Sequence, residues 1–445
     1  MISSPLTFGI LYLTLTLTMG TAHAAVQGVF AHYMVGGMSN KSQAHLDISS
    51  AQSLGLDAFA LNIQNPSAPW TKTTLQFLFS TAAELGFKLF FVADMAVISS
   101  PKDFLPLYRQ YATNHSAYYH FAGKPFLSTF SGGHHPPSSW GRLVPTPFFV
   151  PNFREESYSA SFFSARDDGT QIDGIASWET AWPWSGPDNS SLVSSDIDTD
   201  NLKMARAKGK VYMMPVSTFQ SKHSPEHGNW FRRGGTNLVL RMEQALELKP
   251  DFVQLLSWND AGEGHYFGNI WPESLGGSEL ARELVEWYEH TAWQVLLRPF
   301  VKALKDGTRE NITEGTVKGA FWYRPLLKNV TFVGRDKYGL EPPDNWEDAE
   351  DAVNIGLLVG GLDEKVKIRV WSGGDLIKEI EAREGMSAYQ VDGIRKGVQV
   401  VQVVSNDGRR VMAEGRGLVG VTDDITDLNG VWNFNYQVVE IAERG

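Results

Sequence analysis

The stretch Asp251-Phe-Val-Gln-Leu-Leu-Ser-Trp-Asn-Asp260-Ala-Gly-Glu263-Gly-His265-Tyr266 decides how the rest of the chain is interpreted. Its first half, up to Trp258, is a short apolar run of the kind that forms a strand buried on both faces of a parallel sheet. Its second half brings together an amide, two carboxylates, two glycines, an imidazole and a phenol. A buried strand that opens into such a loop is typical of α/β barrels, which carry their reactive groups at the carboxyl ends of their strands.

The two carboxylates of this loop, Asp260 and Glu263, suggest acid/base chemistry on a glycosidic bond. The same spacing also fits a capping box, in which an N-cap Asp and an N3 Glu bond the free amides of a starting helix. That helix would have Gly262 and Gly264 in its first turn, and glycine is a poor helix former. We therefore favour the catalytic interpretation over the capping one.

Working outward, the chain from residue 25 to about residue 300 alternates short apolar runs with longer helical patterns. The predicted strands cover residues 29–34, 57–63, 88–95, 124–131, 147–153, 173–179, 210–217 and 252–258. The predicted helices cover residues 42–54, 72–85, 101–113, 156–165, 199–208, 236–248 and 277–297. This pattern predicts an α/β fold, a (β/α)8 TIM-type barrel. An open doubly wound sheet is the competing fold, but no Gly-rich phosphate fingerprint follows any strand.

A chain of 445 residues is too long for one ordinary domain and long enough for two. We predict a signal peptide over residues 1–24, a catalytic barrel over 25–300, a charged connector over 301–318 and a β-rich accessory domain over 319–445. The last part alternates short β-rich runs with Gly and Asp turns, which indicates a β-sandwich-like domain. We expect it to pack on the barrel and to contribute little to the chemistry.

Export is predicted from the N-terminal residues. An apolar core is followed by the cleavage pattern Ala22-x-Ala24, so the mature chain is expected to start at Ala25. Acceptor sequons for N-glycosylation stand at Asn40, Asn114, Asn189, Asn311 and Asn329. We expect a secreted, monomeric glycoprotein, associated with a cell wall and free of membranes once the signal is removed. The chain has no cysteine, and its net charge of -11 without a basic stripe speaks against nucleic-acid binding.

Polar and aromatic residues cluster at the ends of the predicted strands and just beyond them. We predict that these residues bind substrate: His32, Tyr33, Asn62, Asp94, Asn152, Trp178, Glu179, Trp182, Trp258, Asn259, His265 and Tyr266. The mixture suits a sugar, because its hydroxyls need paired donors and acceptors while its C–H face stacks on an aromatic ring. For any single Trp, core packing is the alternative, and for any single His it is a local hydrogen bond.

Metal sites are not indicated, and we expect no cofactor. His223-Ser-Pro-Glu-His227 has helical spacing, but its proline argues against a helix. Asp196-x-Asp198-x-Asp200 resembles the start of a calcium loop but lacks the Gly and the distal Glu that complete one. We expect it to begin the next helix, where acidic residues are favoured.

Several runs together resemble glycoside hydrolase family 71, the fungal α-1,3-glucanases or mutanases. They are Val29-Phe-Ala-His-Tyr-Met-Val, Gly55-Leu-Asp-Ala-Phe-Ala-Leu-Asn62, Val150-Pro-Asn-Phe, Trp178-Glu-Thr-Ala-Trp182-Pro and Ser257-Trp-Asn-Asp260-Ala-Gly-Glu263-Gly-His-Tyr266. The resemblance covers about Val26 to Trp293, and its most specific part is the run Trp-Asn-Asp-x-x-Glu. It implies a secreted, endo-acting, inverting hydrolase of (1→3)-α-D-glucan with Asp260 and Glu263 as the catalytic pair.

Within that pair, our interpretation assigns Glu263 as general acid and Asp260 as general base. Two alternatives stay open. One is a non-catalytic carbohydrate-binding barrel, whose carboxylates only bind hydroxyls. The other is a retaining glycosidase that uses Glu179 or Asp94 as its nucleophile.

Overall fold

The structure is a computed structural model. It describes residues 25–444 except 136–137, 142, 155–156, 160–161, 163–171, 184–191, 310–311, 314–316 and 332–333. The predicted signal peptide lies outside the described residues, so export stays a prediction.

A curled, mostly parallel sheet forms the first part of the chain. Its strands are β1 (Gly28–Met34), β2 (Ala58–Ile63), β3 (Lys88–Asp94), β4 (His120–Phe121), β5 (Lys124–Phe130), β6 (Phe148–Phe149), β7 (Gly174–Ala176), β8 (Val211–Ser217) and, later in the chain, β11 (Phe252–Leu256). They lie in the order β4-β5-β3-β2-β1-β11-β8-β7, with β6 beside β5. All eight predicted strands are present, and each pairs in parallel with a neighbour.

The two free edges of the curled sheet meet through backbone hydrogen bonds around β6 and β7. The N–H of Asp173 donates to the carbonyl of Phe149 at 2.8 Å, and the N–H of Ala176 donates to that of Pro151 at 2.9 Å. The curl therefore brings the first and last parts of the sheet together, as the predicted α/β barrel requires.

Alternation along the strands separates the interior of the curl into an apolar base and a polar top. Phe30, Phe90, Phe126 and Phe252 fill the base, with ring centroids 4.7–5.6 Å apart in the Phe30–Phe90, Phe30–Phe126, Phe30–Phe252, Phe90–Phe126 and Phe126–Phe252 pairs. Residues two positions further along a strand point the same way, so His32 follows Phe30 and Gln254 follows Phe252. Above the base, Gln254 donates to His32 Nδ1 at 2.9 Å.

Helices follow most strands and cover the outside of the sheet. They are α1 (Lys41–Ser53), α2 (Pro69–Leu85), α3 (Pro101–Ala112), α4 (Ser138–Gly141), α5 (Asp196–Ala207), α6 (Asn237–Leu248), α7 (Glu279–Val285) and α8 (Gln294–Asp306). The predicted helix over 156–165 falls largely outside the described residues. The prediction of one continuous helix over 277–297 is wrong, because the structure has two separate helices there, α7 and α8. Between them Trp287 has a φ of 71°, which a right-handed helix does not allow.

A hairpin that was not predicted lies between β8 and α6. Its strands β9 (Gln220–Ser224) and β10 (Gly228–Arg232) pair antiparallel, with His223 opposite Asn229. The segment is too polar to show the alternation from which strands are predicted. We call this element the hairpin below.

The last part of the chain, called the tail here (residues 317–444), is an antiparallel sheet. Its strands are β12 (Val317–Tyr323), β13 (Ala352–Val359), β14 (Val366–Ser372), β15 (Asp375–Glu381), β16 (Gly385–Asp392), β17 (Gln399–Ser405), β18 (Val411–Arg416) and β19 (Gln437–Glu443). They form one sheet in the order β15-β14-β17-β18-β19-β12-β13-β16. The prediction of a sandwich is corrected in this respect: the short β18–β19 ladder joins both halves into one continuous sheet folded around a shared apolar cluster.

The tail packs directly on the barrel. Trp293, just before α8, meets Trp322 on β12 edge-on at 5.7 Å, and Leu296 packs so closely on Gly356 of β13 that a Cβ there would lie 2.6 Å from it. The helix α8 runs to Asp306, through the predicted start of the connector at residue 301. The division into domains stays a prediction. None of the helices in the described part of the chain is long and apolar enough to cross a membrane.

Candidate active site

The loop after β11 folds back on itself and is fixed by Ser257, which follows a cis peptide bond. The Ser257 hydroxyl donates to the His265 carbonyl at 2.7 Å and accepts from the Asp260 N–H at 2.8 Å. Asn259 ties the loop to β1: its side chain accepts from the Met34 N–H at 2.8 Å and donates to the Met34 carbonyl at 3.1 Å. These bonds hold Asp260, Glu263 and His265 above the polar top of the curl.

The capping and catalytic interpretations of the carboxylate pair are compatible. Asp260 Oδ1 accepts from the Glu263 N–H at 3.1 Å at the start of a single 3-10 turn, Ala261–Glu263. Glu263 does not return the bond, because the Asp260 N–H is taken by Ser257. Gly264 then adopts a φ of 71°, which ends the turn and leaves the Glu263 side chain free for other partners.

Those partners come from the hairpin. Gln220 Nε2 donates to Glu263 Oε2 at 2.5 Å, and Lys222 Nζ donates to Oε1 at 3.1 Å. On the other side, His265 Nε2 lies 3.5 Å from Oε2, at the outer limit of hydrogen bonding. Burial raises the pKa of Glu263, but the bonds and charges of His265 and Lys222 outweigh it and lower that pKa to about 2.

Asp260 has the opposite environment. Burial, followed by the negative charge of Glu263, raises its pKa to about 6, although His265 and Lys222 partly oppose the shift. Nε2 of His265 lies 3.8 Å from its Oδ2. The pKa values of the two carboxyl groups are thus driven apart, in the direction that keeps a proton on Asp260 rather than on Glu263. This favours the reverse of the roles assigned from the sequence.

His265 lies at the centre of the site, fully buried beside two indoles. Its ring is 6.2 Å from that of Trp178 and 5.5 Å from that of Trp182. Within the described residues neither of its ring nitrogens makes a regular hydrogen bond. The His32 ring also contacts Trp178, with ring centroids 5.0 Å apart. Its burial and the nearby His265 lower its pKa to about 3, so His32 is neutral at ordinary pH.

Asp260, Glu263 and His265 could also hold a metal ion, since one ligand atom from each lies within 4.8 Å of the others. Such an oxygen and nitrogen set suits zinc among other ions. The Lys222 ammonium already balances the charge of Glu263, however, so the pair needs no ion for electrostatic reasons.

Glu179 and Asp94, the other strand-end carboxylates, have different surroundings. Glu179 is held by two arginines, with Arg154 at 3.2 Å and Arg232 at 2.9 Å, and the Arg232 guanidinium also lies over the Trp182 ring. Burial raises the pKa of Asp94, against the hydrogen bonds of Ala96, Asn62 and Gln64. The charge of Glu263 reaches Asp94 as well, which places Asp94 on the same side of the sheet as the pair.

The sequence profile of glycosyl hydrolase family 71 matches residues 25–445. This chain belongs to that family. The resemblance predicted from the sequence is confirmed, and it extends beyond the barrel to the whole tail.

Two relatives of this family 71 chain cover nearly all of it. Glucan endo-1,3-alpha-glucosidase agn1 of Schizosaccharomyces pombe is 32% identical over 430 residues, 92% of this chain and 93% of that protein. Mutanase Pc12g07500 of Penicillium rubens is 29% identical over 419 residues, 92% of this chain and 88% of that protein. Among solved structures, the GH99 endo-alpha-mannosidase from Bacteroides thetaiotaomicron matches with a TM-score of 0.50 and 11% identity, covering 64% of this chain and 99% of that one. That last likeness concerns the fold alone.

Not every residue predicted to bind substrate in this family 71 chain lies near the pair. Tyr33 points away from the interior, because it follows the inward-facing His32, and its hydroxyl donates to Asp47 of α1 at 2.9 Å. Trp258 also turns outward and packs on Phe59. Tyr266 stacks on His290 and donates to the Tyr288 carbonyl at 2.6 Å, facing the tail.

Of the remaining predicted residues, some lie around the Asp260–Glu263 pair and others hold the loop or a neighbouring side chain in place. His32, Asn62, Asp94, Trp178, Glu179, Trp182 and His265 surround the pair or its immediate neighbours. Asn259 serves the loop, as described above. Asn152 is buried, and its side chain accepts from the Arg154 N–H at 2.8 Å, which orients the arginine that reaches Glu179.

Four residues that contact the site were not predicted from the sequence: Gln220, Lys222, Arg232 and Ser257. The first three belong to the hairpin, for which the sequence carries only a Pro-Glu-His-Gly turn between polar residues. Ser257 is part of the family motif, but its role is to hold the loop, which a motif does not reveal. Among the predicted glycosylation sites Asn40, Asn114 and Asn329 are exposed, while Asn189 and Asn311 lie outside the described residues.

Proposed function

We propose that this chain hydrolyses (1→3)-α-D-glucosidic bonds within α-glucan, with Asp260 as general acid and Glu263 as general base. The observation that carries the proposal is the loop that holds two carboxyl groups together in unlike surroundings, with Lys222 and Gln220 bonded to Glu263 and not to Asp260. These surroundings lower the pKa of Glu263, while burial and the charge of Glu263 raise that of Asp260. Environments that separate two carboxyl groups in this way are what acid/base catalysis needs. Membership of family 71 and the activities named for the two relatives supply the linkage.

In the proposed reaction the Asp260 carboxyl gives its proton to the glycosidic oxygen as the bond to the anomeric carbon breaks. Glu263 removes a proton from the water that attacks that carbon. Lys222 and Gln220 keep Glu263 ionised and fix its orientation. The indoles of Trp178 and Trp182 offer apolar surfaces beside the pair, and the buried, neutral His32 adds no charge there.

Single displacement with inversion is part of the proposal, and the spacing of the pair bears on it. An inverting pair is usually about 6.5–9.5 Å apart, so that water and sugar fit between the groups. Here a carboxylate oxygen of Asp260 lies within 4.8 Å of one of Glu263. The pair therefore has to open when substrate enters. The short spacing favours a second candidate, retention with Glu263 as nucleophile, because retaining pairs stand about 5–5.5 Å apart.

Incubation of the purified protein with (1→3)-α-D-glucan is expected to release reducing ends, with oligosaccharides before glucose. The first product should be the β-anomer, since one displacement on an α-linkage inverts the centre. NMR of the fresh digest reads both results. An α-anomer as first product replaces inversion by the retaining candidate. Binding to the glucan without any release of reducing ends would instead indicate a non-catalytic carbohydrate-binding protein.

The pH dependence of kcat/KM is expected to be bell-shaped and acidic. The raised pKa of Asp260 means that its proton is present below about 6 and lost as the pH rises through that value. The lowered pKa of Glu263 means that its charge is present above about 2 and lost as the pH falls through that value. Activity should therefore lie between these limits. A profile that is flat from pH 5 to pH 8 would contradict the role of Asp260.

A further inference from the structure

The hairpin that supports Glu263 has a second face, turned toward the tail. Neighbouring residues of a strand point to opposite sides, so Gln220 and Lys222 reach Glu263 while His223 points away from it. His223 is buried, and its Nε2 lies 2.8 Å from Asp336 Oδ2, with the two side chains 2% and 0% exposed. Asp336 belongs to the tail.

Asp336 is itself held firmly. It opens a tight loop of the tail, residues 336–344, called the tail loop here. Its Oδ1 accepts from the Tyr338 N–H at 2.9 Å and from the Leu340 N–H at 3.0 Å. The whole carboxylate is therefore occupied, one oxygen by the tail loop and the other by the hairpin.

The other hairpin strand is bound to the same loop. The Phe231 N–H donates to the Asp344 carbonyl at 2.8 Å, and the Asp344 N–H donates to the Asn229 carbonyl at 3.0 Å. The Asn229 side chain donates to the Glu341 carbonyl at 2.8 Å, and its Oδ1 lies 2.6 Å from His223 Nδ1. The tail loop thus continues the hairpin as a third extended segment.

We propose that Asp336 is a positioning residue for the reaction: through His223 the tail loop sets the hairpin so that Lys222 and Gln220 stay on Glu263. This rests on the proposed function of Glu263 and is the opposite of the expectation that the tail contributes little to the chemistry. Arg232, at the far end of the hairpin, is set in the same way against Glu179.

The test is the acid limb of the kcat/KM profile in the full chain. Asp336→Asn turns an acceptor facing His223 into a donor, so the hairpin should shift and Lys222 should leave Glu263. A carboxylate that loses a neighbouring opposite charge gains about 1–3 pKa units. The acid limb of Asp336→Asn should therefore move up by roughly one pH unit or more, in the same direction as that of Lys222→Met.

Other titratable groups also face Glu263, namely Asp260 and His265 of its own loop, His32 of β1 and Asp94 of β3. They are unchanged in these variants, so the comparison with Lys222→Met isolates the hairpin. In the double variant Asp336→Asn/Lys222→Met the limb should move no further than in Lys222→Met alone. Hydrogen exchange should also become faster in residues 220–232 of Asp336→Asn.

Gln437→Ala is the matched control. It removes another, partly buried bond between tail and barrel, from Gln437 Nε2 to the Trp287 carbonyl at 3.0 Å, and a bond within the tail from the Val419 N–H, without touching the hairpin. Its acid limb should stay at the wild-type position. If Asp336→Asn does not fold, Asn229→Ser loosens the same contact from the other hairpin strand and should move the limb upward.

Each outcome separates the two proposals. If Lys222→Met moves the limb and a folded Asp336→Asn does not, Asp336 is structural only and the inference is overturned. If Glu263→Gln keeps wild-type turnover, the proposed function fails instead, whatever Asp336→Asn does.

Discussion

Asp260→Asn and Glu263→Gln are each expected to lower turnover of (1→3)-α-D-glucan by roughly 10²–10⁴-fold, which is the usual contribution of a positioned acid or base. Both replacements keep the shape of the side chain but cannot exchange a proton. Each variant should fold and still bind glucan, because Trp178, Trp182 and the neighbouring polar groups are unchanged. Initial rates of reducing-end release and a pull-down on insoluble glucan measure the two effects separately.

The same variants distinguish the roles of the two carboxyl groups. Asp260→Asn should lose little activity on α-glucosyl fluoride, since fluoride leaves without a proton. Azide should restore activity to Glu263→Gln, because a small anion can replace activated water but not an acid. Glu226→Gln, at the exposed turn of the hairpin, is the matched control and should behave as wild type. Turnover of both site variants within a few-fold of wild type would rule out this pair.

Asp198→Ala is expected to lower the free energy of unfolding by about 3–5 kcal/mol, the usual cost of leaving one member of a buried ion pair alone. Asp198 and Arg241 are both 0% exposed and lie 2.8 Å apart, joining α5 to α6. Asp198 also accepts from the Tyr212 hydroxyl at 2.6 Å and from the Thr180 hydroxyl at 2.8 Å. The variant leaves the Arg241 charge in the interior without a counter-charge, bonded only to the Gln244 side chain and the Pro215 carbonyl.

Urea unfolding followed by tryptophan fluorescence measures this loss. Asp200→Ala, two residues further along α5 and exposed, is the control and should change stability by less than about 0.5 kcal/mol. Because Thr180 follows Glu179, Asp198→Ala should also weaken turnover by loosening the segment that carries Trp178 and Trp182. Equal stability of the two variants would show that the buried pair contributes nothing.

The barrel could be predicted because its signal is local and repeated. Buried parallel strands are apolar runs of fixed length, and each one ends where polar residues begin. The same rule found His32, Asn62 and Asp94, whose side chains point inward. It did not separate Tyr33 from His32, because all polar residues at a strand end were predicted to line the site. Adjacent residues of a strand point to opposite faces, so Tyr33 points away from the interior.

The support of the pair could not be predicted, because it depends on contacts between distant parts of the chain. Lys222 reaches Glu263 across 41 residues, and Asp336 reaches His223 across 113. The proposed roles of Asp260 and Glu263 depend on these contacts, since the Lys222 charge lowers both pKa values but its hydrogen bond lowers that of Glu263 alone. A motif identifies which residues react, while the three-dimensional environment decides which one carries the proton.

The bond between the hairpin and the tail loop has a consequence for the exchange of modules between enzymes. A barrel joined to a foreign tail keeps every residue of its own motif and yet loses the acceptor for His223. Such a chimaera would carry an intact active-site loop with a displaced lysine. Barrel and tail therefore have to be exchanged together. Alternatively, Asp336 and the tail loop have to be grafted onto the new tail.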